Sequence, residues 1–214
     1  MLSEKFPGVR MLLAGPAAAG GALTGIAAID APPHGGLPKG ALTEVVCGRG
    51  ASGSATLMRQ LLVRAAEENE IVAVIDGNDS LDVTSLDAGV LSRLLWIRCR
   101  SANDALKAAD LVLRDGNLPL VLLDLKLNSE KELQKIPVTT WYRFQRLVQE
   151  TTTVCVAFTP RPMLFPAVMR IDLHSQFSIA ALDGDAPELL RNLKVEVSGT
   201  SQAAGVQETL QSTA

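Results

Sequence analysis

From residue 41 onward, short apolar runs of strand length alternate with stretches of helical period, and no other feature limits the fold so strongly. Strands too apolar to keep one face in water, separated by segments long enough to be helices, belong in a parallel sheet with helices on both faces. Ala41 to Cys47 reads as the first strand. A Gly-rich turn from Gly48 to Gly53 leads into a helix over Ser54 to Glu68, with Leu57, Leu61 and Leu62 on one face. Ile71 to Ile75 and Leu94 to Cys99 read as buried strands, both too apolar for a sheet edge. Ser101 or Asn103 caps a helix through Arg114, striped by Leu106, Ala109 and Leu113 and stopped by Gly116-Asn117. Leu118 to Leu125 is the most hydrophobic strand, punctuated by Asp124. After a polar connection, Trp141, Phe144, Leu147 and Val148 mark an amphipathic helix whose aromatic side chains belong in the core, and Val154 to Phe158 is a further buried strand. Pro160, Pro162 and Pro166 keep the next connection extended. Arg170 to Leu182 and Leu193 to Val197 read as strands joined without a full crossover helix, an antiparallel extension of the sheet.

The 214 residues are 47% hydrophobic and 20% charged, an ordinary globular composition, and a chain this long buries roughly 70% of its unfolded surface without metal or disulfide staples. One core domain is expected over residues 24–198, preceded by an arm or linker over 1–23 and followed by a polar, disordered tail over 199–214. Twenty Lys and Arg against 23 Asp and Glu give a net charge of -3, which excludes a general, charge-driven hold on nucleic acid. Cys47, Cys99 and Cys155 each sit in an apolar run and read as free buried thiols of a cytoplasmic protein. His34 and His174 have no partner at a ligand or triad spacing, so neither a metal site nor Ser/His catalysis is expected. Met11 to Ile29 is uncharged, but Gly15, Pro16, Gly20, Gly21 and Gly25 interrupt it, and it reads as a linker rather than a membrane span.

Strand, Gly-rich turn and helix together form the architecture of a phosphate-binding loop, where backbone N–H groups at a helix N-terminus cradle an anion. The run is Gly48-Arg49-Gly50-Ala51-Ser52-Gly53-Ser54-Ala55. Its two glycines fit G-x-x-x-x-G-K-[ST], but Ser54 stands at the lysine and Ala55 at the hydroxyl. Upstream stand Thr24-Gly25 with Asp30, then Gly35-Gly36-Leu37-Pro38-Lys39-Gly40, then Thr43-Glu44-Val45-Val46. Downstream stands Ile75-Asp76-Gly77-Asn78-Asp79-Ser80-Leu81-Asp82. This text resembles the RecA/RadA recombinase core over residues 24 to 198, and Leu120-Val121-Leu122-Leu123-Asp124 looks like that family's Walker B strand. Glu4-Lys5-Phe6-Pro7-Gly8 and the small size look most like ImuA proteins, RecA-like accessories of error-prone translesion synthesis.

The resemblance implies a RecA-like core and a partner set: a Y-family polymerase homologue, with a recombinase or a replicative polymerase subunit as further candidates, in an assembly that could itself be oligomeric. It also marks departures. The family's water-activating Glu corresponds to Asn78, its nucleotide-sensing amide to Thr159-Pro160, and its second DNA loop to the Pro-rich connection. Gly48, Gly53 and the Ser54 amide could still hold an anion, or form a turn kept for folding alone. Arg49 could replace the lost lysine charge or be a solvated loop residue. Asp124 could retain magnesium, but with Ala55 beside it reads as a strand-end carboxylate bonded to its loop. Lys126, Lys131, Lys135, Arg143 and Arg146 lie near the family's first DNA loop, diluted by Glu130 and Glu132. The expectation is therefore an inactive scaffold with no tightly held cofactor, ATP and Mg2+ binding weakly at most. The alternatives are an ATPase with an unorthodox loop and a regulator that mimics a recombinase protomer and blocks its filament.

Overall fold

The computed structural model describes residues 21–48, 52–178 and 185–199. In chain order the elements are α1 (Ala27–Asp30), β1 (Ala41–Cys47), α2 (Ser54–Glu67), β2 (Val72–Asp76), α3 (Ala88–Leu91), β3 (Leu94–Arg98), α4 (Ala102–Asp115) and β4 (Leu120–Asp124). They continue with α5 (Glu130–Leu133), α6 (Val138–Gln149), β5 (Val154–Thr159), β6 (Met169–Leu173), α7 (Ala186–Arg191) and β7 (Val195–Gly199). All seven strands form one sheet in the order β3-β2-β4-β5-β1-β6-β7. Every neighbouring pair is parallel except β6 with β7, so the α/β class and the antiparallel C-terminal pair agree with the sequence.

Strand side chains alternate between faces, and each face has its own core. On one side Val45, Val74, Leu122, Val156 and Ile171 pack with Leu57, Leu61 and Leu62 of α2 and with Ile29 and Val90. On the other, Ala73, Ile75, Val121, Leu123 and Ala157 pack with Ala105, Ala109 and Leu113 of α4 and with Trp141, Phe144 and Val148 of α6. Trp141 and Phe144 meet edge to face, with ring centroids 6.0 Å apart. Ser101 caps α4 by accepting from the Asp104 N–H, and Gly116 closes that helix at φ 68°.

The structure corrects three readings. Leu94 to Cys99 does not lie inside the sheet: β3 is an edge strand, and Leu95 is 46% exposed. An apolar run shows that a strand packs somewhere, but the crossovers decide its rank in the sheet. The strand expected over Arg170 to Leu182 stops at Leu173, with 174–178 outside any strand and 179–184 outside the described residues. The connection after β4 holds a short helix, α5, closed by reciprocal bonds between Ser129 and Glu132, the S-x-x-E box present in the sequence. The residues expected to form the arm reach the fold at their end, where Ala22 bridges Leu37, and Gly199 of the expected tail belongs to β7.

Candidate functional site

Because β1, β2, β4 and β5 run parallel, their C-terminal residues Cys47, Asp76, Asp124 and Thr159 meet at one edge of the sheet. This is where open α/β sheets take ligands. The turn from β1 enters α2 through Gly53 at φ 95°, a left-handed conformation that glycine supplies without strain. Gly53 is roofed: a Cβ there would stand 2.3 Å from Leu193 Cδ1, 3.3 Å from Phe177 Cε2 and 3.4 Å from Ser175 Oγ. Sequence reasoning missed these three roof residues, because nothing local ties the segment after β6 to a loop over a hundred positions earlier. Gly48 is exposed; Ser52 is buried, and its Oγ has no hydrogen-bond partner among the described residues. Ser54 and Ala55 begin α2, while Arg49, Gly50 and Ala51 lie outside the described residues.

Asp124 is 3% exposed. Its Oδ1 accepts from the Lys126 backbone N at 3.1 Å, and its Oδ2 accepts from Lys126 Nζ. Burial pushes the neighbouring Cys47 thiol up to about 12, and the negative charge of Asp124 adds to the rise. Asp76 is fully buried and gathers the turn beyond β2, accepting from the N–H groups of Ser80 at 2.8 Å, Leu81 at 2.7 Å and Asn78 at 3.3 Å. Asn78 is exposed on that turn, and Asp79 pairs with Arg98 of β3 at 2.6 Å. Gly77 must be glycine, since a Cβ would stand 2.4 Å from Asn128 Oδ1 and 2.7 Å from the Asp124 carbonyl oxygen.

Glu44 is a further buried acid, in the strand before the Gly-rich turn. It is 0% exposed; Oε1 accepts from Thr159 Oγ1 at 3.0 Å and from the N–H groups of Met163 at 2.6 Å and Leu164 at 3.1 Å. Oε2 accepts from Arg170 Nε at 3.0 Å. One carboxylate thus pins the Pro-rich connection to β1 and commits the Thr159 hydroxyl. The available signal was a charged residue in an otherwise apolar strand.

The five basic candidates stand in different settings. Lys126 lies on Asp124, Arg143 pairs with Asp110 at 2.9 Å, and Lys131, Lys135 and Arg146 are exposed. A cavity of about 450 Å³ opens beside Ala55 and Thr56, walled by Leu62, Leu81, Leu86 and Leu190, with Lys126 on its lining.

A family model described as the RecA N-terminal domain matches residues 19–134 of this arrangement. The chain belongs to the RecA N-terminal domain family. Protein RecA of Rubrobacter xylanophilus is 36% identical over 104 residues, covering 47% of this chain and 30% of that protein. Protein RecA of Methylococcus capsulatus is 34% identical over 104 residues, with the same coverage of 47% and 30%. Protein RecA of Clavibacter michiganensis is 35% identical over 104 residues, covering 47% of this chain and 28% of that protein. Each of these matches takes in under a third of the relative's length. The RecA-family match contains the turn into α2, Asn78, Asp124 and Lys126, and ends before β5 and the Pro-rich connection. Among the described residues no helix is long and apolar enough to cross a membrane.

Proposed function

We propose that this RecA-family chain is a catalytically inactive scaffold that binds protein partners in the DNA damage response, an ImuA-like accessory of error-prone translesion synthesis. One observation carries the reading: the turn into α2 offers Ser54 and Ala55 where ATP chemistry in this fold class uses a lysine on the β and γ phosphates and a hydroxyl on magnesium. Asn78 in the place of a general base supports it, because an amide does not take a proton from water as a carboxylate does. Each missing electrostatic group costs about 100-fold or more in rate, so losing charge, hydroxyl and base together leaves no useful turnover. The exposed surfaces then do the work, with a Y-family polymerase homologue as the first partner and a recombinase or replicative polymerase subunit as the next.

Two measurements test this. Purified protein should show no magnesium-dependent ATP turnover above background, and an affinity-tagged chain should copurify with the polymerase homologue from DNA-damaged cells. Turnover that is lost in Arg49→Ala would replace this reading with that of an ATPase using an unorthodox loop. The buried Ser52 Oγ, which has no hydrogen-bond partner among the described residues, is the observation that favours that second reading. A chain recovered alone from damaged cells would sink the scaffold reading.

A further inference from the structure

We propose that Lys126 is a tethered cation that stands on Asp124 in place of a divalent metal ion, so that this carboxylate neither needs nor admits one. An ionised carboxylate only 3% exposed at the end of β4 requires a countercharge close by. In nucleotide-binding loops of this class, magnesium supplies it, bridging the strand-end Asp and the hydroxyl that follows the lysine. Position 55 is Ala and has no oxygen to give, and Asp124 is already taken on both oxygens by Lys126, through its backbone N and its Nζ. Among the described residues, no group of three or more His, Cys, Asp or Glu side chains is arranged to hold a metal.

The ammonium is held there by the fold rather than by chance contact. Leu125 is fully buried between acid and base, and its N–H donates to the Phe158 carbonyl oxygen at 2.9 Å. Two residues on, Asn128 Nδ2 donates to the Gly77 carbonyl oxygen at 2.9 Å, tying the same turn to the end of β2. With its backbone fixed on both sides, the Lys126 side chain is only 18% exposed. An ammonium needs no open coordination sphere, whereas magnesium demands near-octahedral oxygens at about 2.1 Å. The two cannot share Oδ2, and their like charges repel. Because a carboxylate and an ammonium together are neutral, the pair itself adds no net positive charge to draw in a polyphosphate.

A chain that finds no polymerase partner would leave the ion pair standing. Manganese counted by electron paramagnetic resonance tests the exclusion on the full-length wild-type chain. The expected result is no saturable site at Asp124 into the millimolar range. One equivalent of bound manganese that Asp124→Asn removes would overturn the proposal, and a site that survives Asp124→Asn lies elsewhere and counts as exclusion. A double-mutant cycle by urea unfolding in EDTA tests the pairing. Lys126→Met and Asp124→Asn should each lower the folded-to-unfolded ratio by about tenfold or more, and the double variant by clearly less than the product. Multiplicative losses would overturn the proposal. Should Lys126→Met fold poorly, Lys126→Arg keeps the charge and should hold most of the wild-type stability; losing as much as Lys126→Met would likewise overturn it.

Discussion

Glu44 shows how one side chain sets a loop. It accepts four hydrogen bonds with no exposed surface, so Glu44→Ala leaves the Arg170 guanidinium and three other donors without their acceptor. The expected loss is about 3 kcal/mol or more in urea unfolding, against about 1 kcal/mol for an exposed Glu. The buried thiols give a pH prediction with a definite sign. Burial pushes both Cys47 and Cys155 up to about 12, so the folded state keeps them protonated where the unfolded chain ionises them at the ordinary value of 9.0. Their contribution is complete below pH 9 and drains away as the pH rises toward 12, about 1.4 kcal/mol per thiol by pH 10. Urea midpoints at pH 8 and pH 10 check this, and the fall should shrink in Cys155→Val. Burial of these cysteines was legible in the sequence from their apolar neighbours. The partners of Glu44 were not, because Arg170 sits opposite it on the neighbouring strand β6, and Met163 and Leu164 lie more than a hundred positions along the chain.

At the scale of elements, α6 and α5 make contrasting cases. The helix α6 exists because its apolar face has a sheet to cover, and Trp141, 2% exposed, is its largest buried side chain. Trp141→Ala should cost about 3–5 kcal/mol, read as a shifted urea midpoint with unchanged slope. The helix α5 has a single turn and depends on its cap. Hydrogen bonds from the Ser129 hydroxyl and backbone N–H hold the Glu132 carboxyl below the usual range. A depressed carboxylate stabilises above its unfolded value and loses that contribution as the pH falls through the folded one. Glu132 should therefore titrate below an exposed glutamate by NMR, and Ser129→Ala should move it back up. The periodicity that marks α6 extends over three turns, while α5 is too short for any period to register, and its S-x-x-E box is the one local signal that could have found it. β3 is the opposite case: its apolar run marks a strand but neither burial nor rank, and it stands at the edge with none of its residues fully buried.

The two cores share a single sheet, so neither face can be lost while the other remains packed. Trp96 packs against one core and Trp141 lies in the other, which makes them independent reporters. Fluorescence of Trp96→Phe, which leaves Trp141 alone, should report the same urea midpoint as far-UV circular dichroism; two separate transitions would show that the faces unfold independently. The same sharing places the candidate site. Four parallel strands deliver Cys47, Asp76, Asp124 and Thr159 to one edge, and the segment around Ser175, Phe177 and Leu193 returns to roof the turn into α2.

By itself the sequence determined the α/β class, the identity of the strands that fill the sheet, the family, and the residues standing at each motif position. Those properties follow from local periodicity, from turn chemistry and from runs of text a few residues long. Only the tertiary structure decided that β3 is an edge, that Glu44 pins the Pro-rich connection, and that Lys126 lies on Asp124 rather than among the exposed basic residues. Strand order and side-chain pairing are set by how crossovers pack on the sheet, and that packing energy is summed over contacts that no window of sequence contains.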